Sequence, residues 1–94
     1  MALFLDSVLV EGVKGRYIDG QTYLQLDWID EAVNEKFYWD EENRQLIYTL
    51  PDQIVYANEE TMGSSGKPLV VQQDGQVWLL SSLVTAYTNV RIDT

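Results

Sequence analysis

Residues 19–35 read DGQTYLQLDWIDEAVNE, and residues 74–90 read DGQVWLLSSLVTAYTNV. The second segment repeats the first at an offset of 55 positions. Each copy opens on Asp-Gly, a strong hairpin signal, because both residues tolerate the positive φ of a type I′ turn. The repeat predicts a hairpin, a strand and a short helix over 19–34 and again over 74–89, with both helices packed on one shared antiparallel sheet. The matched positions are Tyr23 with Trp78, Leu24 with Leu79, Trp28 with Leu83, Ile29 with Val84 and Asn34 with Asn89.

Within the first copy the hydrophobic period changes from that of a strand to that of a helix. Trp28, Ile29, Ala32 and Val33 recur at helical spacing, and acidic residues occupy the other side. This pattern predicts a helix over about 27–35, with Asp27 as its N-cap and Trp28 in the core. In the second copy we expect a helix that starts near Ser81 or Ser82, capped by one of them, and we expect Trp78 in the core.

The remaining chain has the pattern of short strands and polar turns. We expect strands at 7–13, 36–39 and 44–49, the last ended by Pro51, then a short strand at 54–56 and a polar loop over 57–67. A single α+β domain over 1–94 follows. It would contain a twisted antiparallel sheet of about five or more strands packed on one or two short helices.

Exposed aromatic side chains are the candidate binding residues. Phe37 and Trp39 share one face of their strand, and Tyr38 takes the other. We therefore predict that Tyr38 and, across the hairpin, Tyr48 face solvent as a ligand or interaction surface, because Tyr is common in protein hot spots and on sugar-binding faces. Ordinary cross-strand packing is the alternative.

The charge and composition exclude several classes of function. The 94 residues carry 6 basic and 15 acidic side chains, a net charge of −9, with no His and no Cys. Serine or cysteine nucleophiles with a histidine base, and the usual zinc, iron–sulfur and haem sites, are therefore ruled out, so we expect no cofactor. Acidity argues against nucleic acid and anionic membrane surfaces as partners. The first residues lack a basic segment before the apolar run, and no run approaches the roughly 20 apolar residues of a membrane span, so neither a signal peptide nor membrane insertion is predicted.

Three carboxylates at the predicted helix start could in principle serve glycoside hydrolysis. That chemistry needs two carboxyl groups about 5–10 Å apart, one with a pKa raised by burial. Asp27, Asp30 and Glu31 are close enough along one helical turn. We expect them instead to cap the helix and cover its solvent face, because nothing in the sequence pattern would bury them.

A second acidic group occupies the turn of the 36–49 hairpin. Asp40, Glu41, Glu42 and Asn43 offer oxygen ligands, but they lack the alternate spacing, interior Gly and terminal Glu of a calcium loop. A solvated hairpin tip is the expectation, and no metal site is predicted.

The central segment also carries a family resemblance. Residues 23–51, YLQLDWIDEAVNEKFYWDEENRQLIYTLP, resemble a segment of the copper amine oxidase N-terminal-like domain family. The resemblance is closest to the version found near the N-terminus of family-eighteen, chitinase-like glycoside hydrolases of clostridia and related bacteria. Residues 68–93 resemble the closing half of that domain. The matching residues are Leu26, Asp27, Asn34, Lys36, Phe37, Tyr38, Trp39, Asp40, Leu46, Ile47, Tyr48 and Thr49.

The resemblance implies a function without implying a catalytic residue. It suggests an accessory, non-enzymatic domain of a secreted bacterial cell-wall or spore-envelope hydrolase, outside the cell and beside SH3-like and glycosidase domains. Together with the missing catalytic groups and the six tyrosines, it leads to the hypothesis that the domain contributes to wall-glycan binding. The strand-like start directly after Met1 favours a domain excised from such a chain. Copper is not implied, because there is no His to hold it, and the hydrolase motif Asp-x-x-Asp-x-Asp-x-Glu is absent. Two alternatives stay open: a structural or protein-interaction module that spaces domains or dimerises, and a free-standing carboxylate glycosidase.

Overall fold

The structure, a computed structural model, describes residues 2–12, 14–33 and 35–93. Asn34, which both the repeat and the resemblance use, and Val13, at the end of the strand predicted over 7–13, lie outside the described residues. No helix in the described ranges is long and apolar enough to cross a membrane. The elements are β1 (Ala2–Leu5), β2 (Val8–Leu9), β3 (Gly15–Ile18), β4 (Gln21–Gln25), α1 (Leu26–Ala32), β5 (Phe37–Asp40), β6 (Gln45–Leu50), β7 (Gln53–Ala57), β8 (Val70–Gln73), β9 (Gln76–Leu80), α2 (Ser81–Tyr87) and β10 (Val90–Asp93).

The strands of the described chain form three antiparallel sheets, not the single sheet that the sequence predicts. Their orders are β10-β1-β2, β3-β4-β9-β8 and β5-β6-β7. The reason lies in the helices: α1 follows β4 and α2 follows β9 directly, so each carries the chain away from the central sheet before the next strand begins. The coarser prediction, an α+β fold of antiparallel strands and two short helices, is confirmed.

The repeat is present in the structure as two units with the same local conformation. Residues 15–32 form β3, β4 and α1, and residues 70–87 form β8, β9 and α2, with each element displaced by 55 positions. The Asp19-Gly20 turn has φ of 50° and 80°, and the Asp74-Gly75 turn has φ of 54° and 73°. Positive φ at both positions is the type I′ geometry that the Asp-Gly signal predicts.

A local two-fold axis relates the two units. It passes through the pair Leu24↔Leu79, because the flanking pairs Tyr23↔Leu80 and Gln25↔Trp78 exchange places under the 55-residue offset. The sheet order β3-β4-β9-β8 has the same symmetry. Each helix contacts the inner strand of the other unit, α1 on β9 and α2 on β4, so neither unit completes its core alone.

The core lies around this axis. Leu24, Leu79 and the equivalent helix residues Ile29 and Val84 are fully buried. Trp28 is buried with them, as predicted. The other two sheets also contribute to this cluster, β10-β1-β2 with Leu3 and Val90 and β5-β6-β7 with Phe37 and Leu46.

Trp78 is also buried as predicted, in a smaller cluster with Tyr23 and Leu80. The Trp78 indole donates to the Gln73 carbonyl at 3.1 Å, and the Arg16 guanidinium lies 4.5 Å from the Trp78 ring. The Tyr23 hydroxyl donates to the Pro68 carbonyl at 2.7 Å. Both aromatic polar groups are thus satisfied, which removes the main cost of burying them.

The helix starts differ from the predicted caps. Helix α1 begins at Leu26 with Gln25 at the N-cap, and Asp27 is exposed within the first turn. Helix α2 does begin at Ser81, but Leu80 occupies the N-cap, and neither N-cap residue makes a side-chain cap hydrogen bond. Burial decides these positions, because Leu26 and Leu80 are core residues at the strand ends.

The strand predicted over 7–13 is replaced by a short hairpin. Strands β1 and β2 meet at a turn of Asp6 and Ser7, both with positive φ, and β1 also pairs with β10. A turn without Gly gives little sequence signal, so the Asp6-Ser7 turn was not recognisable from the sequence pattern. The hairpin of β5 and β6 is confirmed, and β7 joins it as a third strand.

Candidate functional site

The sheet of β5, β6 and β7 covers the core with one face and presents the other to solvent. Side chains alternate between the faces along each strand. The inner face contributes the buried Phe37, Leu46, Tyr48 and Ala57. The outer face is therefore formed by the residues between them.

Two exposed tyrosines lie in one row across this outer face. Tyr38 pairs with Ile47, and Ile47 pairs with Tyr56 on the next strand. Tyr38 is 62% exposed, Tyr56 59% and the neighbouring Ile54 56%. We call Tyr38, Ile47, Ile54 and Tyr56 the tyrosine face. The backbone positions of its two tyrosines lie two strand spacings apart, about 10 Å.

The predicted solvent exposure is confirmed for Tyr38 and wrong for Tyr48. Tyr48 pairs with Phe37 rather than Tyr38, and it is 7% exposed. Its ring lies 5.6 Å from that of Phe37 and 6.2 Å from that of Tyr87. Burial and the nearby Tyr87 raise the pKa of Tyr48. The register explains the error, since a shift of one residue moves a side chain to the opposite face.

Tyr56 is the residue that the sequence reasoning missed. The segment 53–57 reads QIVYA, and strand alternation places Ile54 and Tyr56 on the same face. The two-residue connection of Pro51 and Asp52 pairs β7 with β6, with Leu50 opposite Gln53. Alternation together with this short turn was a sufficient signal for the position of Tyr56.

The acidic tip of the β5–β6 hairpin is stabilised by hydrogen bonds within its own turn. Asp40 accepts hydrogen bonds from the side chain of Asn43 at 2.8 Å and from its backbone N–H at 3.3 Å. These bonds, the side-chain one first, lower the pKa of Asp40. Arg44 lies 3.4 Å from Glu59 and also donates to Gln72. In the described ranges no group of acidic residues has the geometry of a metal site.

The carboxylates of α1 do not converge on a cleft. Asp27 and Glu31 are exposed. Asp30 is partly buried, and its Oδ1 atom accepts no hydrogen bond from the described residues. Burial, and next the charges of Asp27 and Glu35, raise the pKa of Asp30.

A groove of about 460 Å³ near the end of α1 is lined by Val33, the residue that follows the helix, but not by Asp30. The other residues that line it are Leu5, Asp6, Ala86, Tyr87, Thr88 and Asn89. A carboxyl group with a raised pKa is therefore present in the helix, but it stands apart from this concave surface.

The raised pKa of Asp30 predicts a pH-dependent stability. A carboxyl group whose pKa is higher in the folded state contributes stability below its unfolded value of 3.8, and that contribution is lost as the pH rises through the folded value. We expect Asp30→Asn to raise the free energy of unfolding at pH 7 by on the order of 1 kcal/mol, and by much less near pH 3. Urea denaturation at the two pH values measures this difference.

The matched control for this variant is Glu31→Gln, which removes one charge from an exposed position of the same helix. It corrects for the general benefit of lowering the negative charge of the chain. An equal gain from Asp30→Asn and Glu31→Gln at pH 7 would contradict the prediction.

Comparisons of the chain with protein-family models, with curated proteins and with solved structures found no match.

Proposed function

We propose that the chain is a non-catalytic accessory domain of a secreted bacterial cell-wall or spore-envelope glycoside hydrolase and that it binds wall glycan through the tyrosine face. The observation that carries the binding role is the row Tyr38–Ile47–Tyr56, with two largely exposed rings on a regular sheet. The resemblance of residues 23–51 to the copper amine oxidase N-terminal-like domain family supports the accessory role and the extracellular setting.

The chemistry of the tyrosine face suits a sugar chain. Aromatic rings bury large apolar areas, and a tyrosine adds a hydroxyl at the wet end of the ring. Sugar rings have apolar C–H faces that can stack on such rings. Thr49 and Gln45, on the same face of β6, add polar groups for the sugar hydroxyls. The two tyrosine positions are about 10 Å apart along the sheet, which is on the scale of two linked sugar rings.

A free-standing glycosidase receives less support from the geometry. Asp27 and Glu31 lie in solvent, where nothing holds a substrate between them. Burial raises the pKa of Asp30, which is the direction expected for a general acid, but Asp30 does not line the groove beside α1. We therefore assign no catalytic residue.

Co-sedimentation with purified peptidoglycan or chitin tests glycan binding. Tyr38→Ala and Tyr56→Ala should each weaken binding about tenfold or more, because truncating a central aromatic contact costs upwards of about 1–2 kcal/mol. The matched control is Tyr17→Ala, since Tyr17 is equally exposed but belongs to the central sheet. Absence of sedimentation at high domain concentration would reject glycan binding, as would equal losses for all three variants.

The accessory role has a separate test in the reading frame that encodes the chain. A glycoside hydrolase or SH3-like domain in the same frame is the expected finding. A frame that encodes these 94 residues alone would contradict the accessory role.

A further inference from the structure

Strand β7 leaves one edge of its sheet unpaired. It pairs with β6 on one side, and on its other side no strand in the described part of the chain pairs with it. Gln53 and Leu50 flank a two-residue turn and form a hydrogen-bonded pair, so the next hydrogen-bonded residue of β7 is Val55. The N–H and C=O groups of Ile54 and Tyr56 therefore point away from β6, along the open edge.

The same two residues also present apolar side chains beside that edge. Ile54 and Tyr56 are both more than half exposed on the outer face. A strand added to β7 would gain main-chain hydrogen bonds and, on the same face, cross-strand contacts to an isoleucine and a tyrosine. Apolar or β-branched residues at alternate positions of the added strand would suit these contacts best.

Among the edge strands that the structure describes, β7 differs in having none of the usual protecting features in its own sequence. Proteins commonly guard an edge with charged residues, with Pro, by keeping the strand short or by covering it. Within the described residues, β2 has only two residues, the edge strands β3, β5 and β10 include charged side chains, and the Gln72 N–H of β8 donates to Glu59 at 3.3 Å. Strand β7 reads QIVYA, without a charge or Pro.

The charges around β7 indicate what kind of strand fits. Asp52 precedes the strand and Glu60 follows it, so both ends of the edge are acidic, while the neighbouring Glu59 is already paired with Arg44. A second copy paired there would bring its own acidic residues against these, and each copy has a net charge of −9. Like charges at such an interface are costly, whereas basic residues at both ends of the added strand would be attracted.

We propose that the β7 edge binds, by strand addition, an extended segment of a partner protein with alternating apolar residues between basic ends. This interaction goes beyond the glycan binding proposed above. It uses the main-chain edge of β7 and shares only Ile54 and Tyr56 with the tyrosine face. The main-chain groups of Ile54 and Tyr56 provide the binding energy, and the acidic ends select the partner.

The test uses two synthetic peptides with the whole 94-residue chain. One peptide has alternating valine and threonine between pairs of lysines, and the other has glutamate in place of each lysine. We expect the basic peptide to bind at least about tenfold more tightly and to slow hydrogen exchange at the amides of Ile54 and Tyr56. Failure of the basic peptide to bind, or equal binding of the two peptides, would overturn the proposal.

Variants at Ile54 test the open edge, and a variant at Tyr38 tests a part of the tyrosine face that lies away from this edge. Ile54→Pro removes an N–H that points out of the sheet and that β6 does not use, so the fold should persist while peptide binding is lost. Ile54→Lys places a positive charge on the edge and should weaken the basic peptide about tenfold. Tyr38→Ala, which lies two strands away, should leave peptide binding unchanged while it weakens glycan binding.

Two further outcomes would also count against the proposed partner segment. Peptide binding that survives in folded Ile54→Pro would place the peptide elsewhere and overturn the proposal. Sedimentation velocity that detects a dimer of the wild-type chain, lost in Ile54→Pro, would assign the edge to a second copy instead. Glycan binding can fail or succeed independently of these results, so the two proposals are tested apart.

Discussion

Replacing Leu24 or Leu79 by alanine is expected to lower the free energy of unfolding by about 2–5 kcal/mol. Both side chains are fully buried, and they pair directly across the local two-fold axis. The loss combines the transfer free energy of the removed atoms with the cost of the cavity that remains. It is a large part of the total for a small domain, about 5–15 kcal/mol. Urea denaturation at pH 7, followed by tryptophan fluorescence, measures it.

The symmetry of the two positions adds a second requirement, which is that the two substitutions should cost similar amounts of stability. Leu24 and Leu79 have equivalent places in the two units, so their losses should agree within about 1 kcal/mol. A loss above about 3 kcal/mol at one position and below about 1 kcal/mol at the other would contradict the shared core. Leu24→Val and Leu79→Val provide a milder pair if the alanine variants do not fold. Leu9→Ala is the control, since Leu9 is exposed and should cost no more than about 0.5 kcal/mol.

The repeated unit was predictable because all its signals are local. An Asp-Gly turn requires positive φ, and the change from strand to helix period lies within a few residues of it. The pairing of the units was not encoded in the same way. Strand β1 pairs with β10, for example Leu3 with Ile92, and no local pattern links positions so distant in the sequence. Three sheets therefore replaced the one that was expected.

The helix starts show how tertiary burial overrides a local preference. Asp27 and Ser82 are good capping residues, but Leu26 and Leu80 lie in the core and determine where the chain turns into a helix. Capping by a side chain is worth about 1 kcal/mol, and burying a leucine is worth more.

The candidate site was half predictable for a related reason. Tyr38 was placed correctly because Phe37 and Trp39 define its strand and its faces. The face of Tyr48 depended on the register across the turn of residues 41–44, which the sequence pattern does not specify. The position of Tyr56, by contrast, was within reach of the alternation along 53–57 and the two-residue turn before it. Errors of one residue in register exchange the inside of a sheet for the outside.

The second large effect follows from the inward position of Tyr48. Tyr48→Ala should lower the free energy of unfolding by about 3–5 kcal/mol, as truncation of a buried aromatic residue does. It removes the ring that lies between Phe37 and Tyr87. Tyr38→Ala should change the free energy by no more than about 0.5 kcal/mol, because Tyr38 projects into solvent. Thermal or urea denaturation of both variants measures the contrast, and similar losses for the two would contradict the register.

A third variant, Tyr48→Phe, distinguishes the contribution of the Tyr48 ring from that of its hydroxyl. It also distinguishes an effect on stability from an effect on glycan binding. Tyr48→Phe keeps both ring contacts, so its free energy of unfolding should stay within about 1.5 kcal/mol of the wild type. Because Tyr48 faces the core, folded Tyr48→Phe should bind glycan as tightly as the wild type, whereas folded Tyr38→Ala should not. Weaker glycan binding by Tyr48→Phe at full stability would mean that the ligand reaches the inner side of the sheet, and the tyrosine face would then lose its assigned role.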